Sequence, residues 1–158
     1  MKIVIRTDSS KKIGSGHVMR CLTLAVALRD SGVIVEFVTR THPGNMIEQI
    51  SSKGFKVHSL PTPNIVKQVK NLDRYEEWLS VKQSTDANET IQVITNIEVD
   101  WLIVDHYALD YKWEEKLRPY TKKIMVIDDL ANRNHDCNVL LDQNLFKDIS
   151  TRYQGKTP

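Results

Sequence analysis

Residues 2–39 read KIVIRTDSSKKIGSGHVMRCLTLAVALRDSGVIVEFVT. Two runs rich in β-branched residues, Lys2–Thr7 and 33–39, enclose a polar loop at 8–16 and one long helical stretch at 17–31. Within that stretch Val18, Cys21 or Leu22, Ala25 and Leu28 recur at helical spacing, and Gly32 supplies a C-terminal stop. Strand, helix and strand in this order form a βαβ unit, whose crossover is right-handed and whose strands are parallel.

The pattern continues outward. Pro43 and Gly44 turn the chain into a second helix at 45–53; Gly54 ends it, and 55–60 reads as strand three. Pro61 and Pro63 mark a loop. Helix is expected at 65–72 and again over 73–96, with a break near 84–87. Strand four at 99–104 ends in Asp105-His106-Tyr107, and a short helix follows at 110–119 with an acidic start that suits the helix dipole. Strand five at 123–127 ends in Asp128-Asp129, and strand six at 138–141 ends in Asp142-Gln143-Asn144. The expected fold is α/β, a doubly wound Rossmann-like parallel sheet covered on both faces. In such sheets ligands bind beyond the carboxyl ends of the strands, where the polar clusters of this chain fall.

Composition bounds the function. The chain has 158 residues, 41% hydrophobic and 27% charged, which suits one globular domain, expected over 1–145. Residues 146–158 read as a polar tail or the start of an interdomain linker. Lys and Arg number 22 against 20 acids, a net charge of +2, so no nucleic-acid partner is expected. No apolar run approaches the roughly 18 residues of a membrane span, and the N-terminus opens a strand rather than a leader, so no membrane partner is expected either. Cys21 and Cys137 are isolated, which fits free thiols in a reducing cytoplasm.

The loop after strand one carries the chemistry. Gly14-Ser15-Gly16 lets the backbone turn tightly and approach a ligand, and the helix that follows points its free N–H groups into the loop. This is a ready site for an anion such as a diphosphate, although a plain strand-to-helix turn reads the same way. Met19 stands where the dinucleotide fingerprint needs a small residue, which argues against an NAD site. Gly155-Lys156-Thr157 lies at the chain end with Ser150 in place of the first phosphate-loop glycine. No cofactor is expected. His17 sits in the first helical turn, where the positive dipole end disfavours the imidazolium; a neutral ring in a cleft meets the first requirement of a general base. A helix-start histidine exposed to water is the competing reading. Arg20, one turn on, would reach a phosphate, pair with Asp8, or stay solvated.

At the other strand ends, Asp105 and His106 with Asp128, Asp129 and His135 lack the close histidine spacing of a metal site, and no metal is expected. A carboxylate there can also orient an imidazole or hold a sugar hydroxyl. His42 and His58 read as surface or strand-end residues without a role, Cys21 as core, and Trp78, Trp101 and Trp113 as scattered packing residues.

Arg6-Thr-Asp8-Ser-Ser followed by Ile13-Gly-Ser-Gly-His17-Val-Met-Arg20-Cys-Leu-Thr-Leu-Ala25 closely resembles the N-terminus of the UDP-2,4-diacetamido-2,4,6-trideoxy-β-L-altropyranose hydrolases of pseudaminic acid biosynthesis, whose relatives are often labelled spore-coat polysaccharide biosynthesis proteins. Asp105-His-Tyr107 and Ile127-Asp-Asp129 look like the later landmarks of that family. The resemblance covers about residues 2–145. It implies the N-terminal half of a fold similar to the B-type (GT-B) glycosyltransferases, with the substrate in the cleft between two α/β domains. It implies His17 as the general base that activates water against the anomeric carbon, releasing UDP with inversion. Arg6, Asp8, Gly14, Ser15, Gly16, Arg20, Asp105, His106, Tyr107, Asp128 and Asp129 would then shape the pocket for a UDP-sugar substrate, Tyr107 matching a family tyrosine near the sugar.

The family is about twice as long as this chain, and its C-terminal domain supplies much of the nucleotide site. The expectation is therefore a domain that carries the base, lacks most of the nucleotide grip, and needs the missing domain or a separate chain to complete the cleft. On its own it would hydrolyse little or nothing. A related glycosyltransferase half and a non-catalytic sugar-nucleotide-binding domain are the alternatives.

Overall fold

The computed structural model describes residues 1–63 and 75–158. Six strands, β1 (Lys2–Thr7), β2 (Ile34–Arg40), β3 (Lys56–Leu60), β4 (Val99–Asp105), β5 (Thr121–Ile127) and β6 (Val139–Leu141), form one sheet in the order β3-β2-β1-β4-β5-β6. Every adjacent pair is parallel. Four α-helices, α1 (Gly16–Asp30), α2 (Ile47–Ser52), α3 (Gln83–Ile94) and α4 (Tyr111–Leu117), lie between them. The strand order reverses between β1 and β4, the position where a doubly wound sheet opens a crevice.

The two faces follow from the two-residue period of a strand. Ile3 and Ile5 of β1 join Phe37, Ile103 and the α1 stripe Val18, Cys21, Leu22 and Ala25 in one core. Val4 points the other way, into a core with Val38, Leu102, Val104 and the α3 and α4 residues Ala87, Ile94, Trp113 and Leu117. Burial on both sides explains why the central strands read as unbroken apolar runs. Each fully buried Val, Leu or Ile contributes roughly 1.5–3 kcal/mol, so α1 is held by its stripe rather than by its caps.

Several boundaries differ from the sequence reading. The break expected at 84–87 lies earlier: a 3₁₀ turn (Glu76–Leu79) ends at Ser80, whose backbone is left-handed (φ 59°), and α3 runs unbroken through 84–87. Asp86 is buried in the first turn of α3 with its charge satisfied from other elements. The second helix starts at Ile47 rather than 45 because Asn45 is used in a turn, accepting from the Ile47 N–H and donating to the His42 carbonyl. Asp110 caps α4 by accepting from the Lys112 N–H, and Pro119 falls in a 3₁₀ turn (Arg118–Tyr120). The helix expected at 65–72 lies outside the described residues.

The polar tail does not hang free. The Tyr153 hydroxyl donates to the Asp128 carbonyl at 2.7 Å, Arg152 donates to the Asp129 carbonyl at 2.6 Å, and the Lys156 carbonyl accepts from the His135 N–H. Among the described residues no helix is long and apolar enough to cross a membrane.

Candidate active site

The crevice is built from the ends of β1 and β4 and the start of α1. In the loop, the Ser10 hydroxyl accepts from the N–H groups of Lys12 and Ile13, and the Gly14 N–H donates to the Ser10 carbonyl at 2.8 Å. Gly14 takes φ +81°, a conformation that glycine reaches at no steric cost. A Cβ at Gly14 or Gly16 would meet nothing within 4 Å, so this backbone is open to a ligand. Ser15, the N-cap of α1, makes no side-chain capping bond, and the first turn of α1 holds no acidic residue. The positive end of a 15-residue helix thus faces the crevice uncompensated.

His17 is 7% exposed. Its Nδ1 lies 2.6 Å from Asp105 Oδ1, and among the described residues no partner is bonded to its Nε2. Asp105 is fully buried. It also accepts from Arg20 through Nε at 2.5 Å and through Nη2, and Cys21 Sγ lies 3.4 Å from Oδ2. Burial alone would raise this carboxyl, but the hydrogen bonds from Arg20 and His17 outweigh it and hold it below the ordinary carboxylate range. Arg20 therefore pairs with Asp105, not with Asp8 and not with solvent.

Aromatic rings wall the imidazole. Tyr107 meets it edge to face at 4.5 Å and Trp78 at 6.1 Å; Trp78 in turn stacks on Tyr107 at 5.8 Å, and Tyr75 contacts both. The guanidinium groups of Arg20 and Arg133 lie 6.0 and 5.8 Å from the Tyr107 ring centre. The Tyr107 hydroxyl donates to Asp129; burial first and this carboxylate second push the phenol up to about 12. Trp78 is thus part of the site rather than a scattered packing residue. Its distance in sequence from His17 hid it, since no local spacing joins them.

The other expected site residues turn inward. Arg6 and Asp8 are fully buried and bonded to each other at 2.6 and 2.8 Å. Arg6 also donates to Asp86, as do Arg40 and the Trp113 indole. Asp8 further accepts from the Arg40 backbone N–H and the Thr39 hydroxyl. Burial raises the Asp8 carboxyl, but Arg6 overrides it and holds it well below the ordinary range. His42, expected at the surface, is 3% exposed, and its Nε2 is 3.5 Å from Asp8 Oδ2; His106 Nε2 is 3.3 Å from the same oxygen. Asp128 is fully buried, bonded to Arg133 and the Ala131 N–H, whereas Asp129 is half-buried and faces Tyr107, Gln143 and Asn144. The structure thus joins His17, Arg20, Asp105, Tyr107 and Asp129 in one network of hydrogen bonds and ring contacts, directly after the Gly14-Ser15-Gly16 loop. Arg6, Asp8, His106 and Asp128 are buried, the first three packed around the Asp8 carboxylate and Asp128 held separately by Arg133 and the Ala131 N–H. Among the described residues no group of three or more His, Cys, Asp or Glu is placed to hold a metal ion.

No family model matches the chain. It is 29% identical over 159 aligned positions to the UDP-2,4-diacetamido-2,4,6-trideoxy-β-L-altropyranose hydrolase of Campylobacter jejuni, covering all of this chain and 47% of that enzyme. It is 31% identical over 130 positions to an uncharacterised protein of Methanocaldococcus jannaschii, covering 82% of this chain and 22% of that one. The chain thus spans less than half the length of these curated relatives. Among solved structures, MurG of Acinetobacter baumannii, a GT-B glycosyltransferase, superposes with a TM-score of 0.55 at 11% identity, over 82% of this chain and 35% of MurG. By sequence the chain is similar along its whole length to the altropyranose hydrolase, and by fold it is an α/β unit of the kind found in GT-B glycosyltransferases.

Proposed function

We propose that this chain is the base-carrying part of a nucleotide-sugar hydrolase, acting on a UDP-linked diacetamido-trideoxy sugar in surface-polysaccharide or pseudaminic acid biosynthesis. The observation that carries the reading is His17, walled by aromatic rings, with no described partner on Nε2, beside an open glycine loop at a helix N-terminus. Whole-length similarity to a hydrolase of this substrate class supports it.

In the proposed step a water oxygen attacks the anomeric carbon. Its proton passes to His17 Nε2, and the C1–O bond breaks with its electron pair leaving on the diphosphate of UDP. Attack opposite the leaving group inverts the anomeric centre. The N–H groups at the start of α1 face the developing negative charge. A second domain, in the same or another polypeptide, would hold the uridine.

The test is UDP release from the amino-sugar nucleotide by this chain alone and with the C-terminal half of the Campylobacter relative added. Release with the added half, lost in His17→Ala at unchanged nucleotide affinity, supports the reading. A new glycoside in place of free sugar would make the protein a transferase. No release, with the chain folded and the added half binding UDP, would leave a non-catalytic binding domain.

A further inference from the structure

We infer that Asp105 is the positioning residue of His17, fixing the imidazole in the tautomer that carries its proton on Nδ1 and leaves the lone pair on Nε2. The inference rests on the hydrolase reading for its catalytic consequence, but the tautomer stands or falls independently of it.

The argument is one of donors and acceptors. An ionised carboxylate only accepts. Asp105 is fully buried, so its 2.6 Å contact with Nδ1 requires a proton on that nitrogen. Arg20 Nη2 also lies 3.1 Å from Nδ1, but its N–H has an acceptor in Asp105 Oδ1. A guanidinium has no lone pair, so Nδ1 cannot donate to Arg20 and must donate to the carboxylate. Two N–H groups of Arg20 grip the two oxygens of Asp105 as a fork, which fixes the carboxylate plane. Cys21, on the buried face of α1, lies against Oδ2, and the Tyr107 ring packs at right angles to the imidazole. Asp105 reaches no solvent, so it cannot itself hold a sugar hydroxyl. Its second consequence is charge: when Nε2 takes a proton from water, the imidazolium formed is hydrogen-bonded to a carboxylate already in place and already desolvated, which it shares with the Arg20 guanidinium.

The experiment is nitrogen-15 NMR of the histidine rings in the full chain, with His17 assigned through His17→Gln, beside the reconstituted UDP-release assay. The wild-type ring is expected as the Nδ1–H form. In Asp105→Asn the amide oxygen goes to Arg20 and the amide N–H₂ turns to His17, so Nδ1 becomes an acceptor and the proton moves to Nε2. UDP release is then expected to fall by about 10⁴-fold in kcat with KM little changed, as in serine proteases given the same amide exchange. Asp105→Glu, which keeps the acceptor, is expected to retain the Nδ1–H form. An Nε2–H ring in the wild type, or an unchanged ring in a folded Asp105→Asn, overturns the inference. If Asp105→Asn does not fold, the wild-type spectrum decides. An Nδ1–H wild type without UDP release in reconstitution removes the hydrolase reading while the tautomer assignment holds.

Discussion

Arg6 and Asp86 stand 80 positions apart and share two hydrogen bonds, of 3.1 and 2.6 Å, in the closed centre of the domain. Asp8 completes the Arg6 guanidinium, and Arg40 and the Trp113 indole complete Asp86. The cluster ties β1, β2, α3 and α4 together. Buried charges of this kind hold only as a set, since each lone member would be stranded without solvent.

Asp86→Ala is expected to destabilise the fold by about 3–5 kcal/mol, because it removes the buried carboxylate that two guanidinium groups share, leaving Arg6 with Asp8 and Arg40 with Glu89, and takes the acceptor from the Trp113 indole N–H. That is a large share of the roughly 5–15 kcal/mol that holds a domain together. Urea unfolding followed by circular dichroism measures it. A loss below 1 kcal/mol would show that the cluster opens to water.

Acid should weaken the fold in two stages. His106 is held below its ordinary value of 6.5, chiefly by burial. Its folded form binds fewer protons than its unfolded form, so stability is full above 6.5 and declines as the pH falls below it. Asp8, Asp86 and Asp105 are held below 3.8, so their contribution is present above that value and is lost as the pH falls through their folded-state range. Urea midpoints across pH should show both declines. His106→Asn, which can still accept from the Ala108 N–H, should remove the upper one.

The two loop glycines should separate folding from binding. Gly14→Ala forces a side chain into φ +81° and should cost about 1–2 kcal/mol. Gly16→Ala meets no atom and starts a helix, so its melting temperature should be unchanged while its methyl intrudes on the ligand path. Melting curves of the two variants beside UDP-sugar affinity of the reconstituted protein check this. A Gly16→Ala that binds normally would place the diphosphate elsewhere.

Tyr107 should titrate late. Its phenol is pushed up to about 12 by burial and then by Asp129. Ultraviolet difference titration should show a phenol near that value, and Asp129→Asn should bring it only part of the way back toward 10, because burial remains. A full return would assign the whole effect to the carboxylate.

Removing residues 146–158 should destabilise the chain. The Tyr153 and Arg152 bonds to the β5 end each contribute about 1 kcal/mol. An unchanged urea midpoint would mean that these residues act as a free linker.

The α/β alternation, the apolar stripe of α1, the glycine loop and the placing of the polar clusters at strand ends are legible in the order of the residues alone. These are local properties: a period of two or of 3.6, a glycine at a turn, a β-branched run. The sequence also carries a motif whose resemblance covers about residues 2–145. Which polar residues gather around His17 and which are spent on other buried charges follows from the packing of the folded chain. Arg6, Asp8 and His106 look the same in sequence as Asp105, since a charged residue at a strand end reads alike whether it meets a ligand or another charge. The difference is set by partners far along the chain. Asp86 and Arg40 close over Arg6 and Asp8, while His17, 88 positions from Asp105, is drawn to it by the pairing of β1 with β4. Burial makes unpaired charge costly, so the fold sorts these residues by which partners it brings within hydrogen-bond reach.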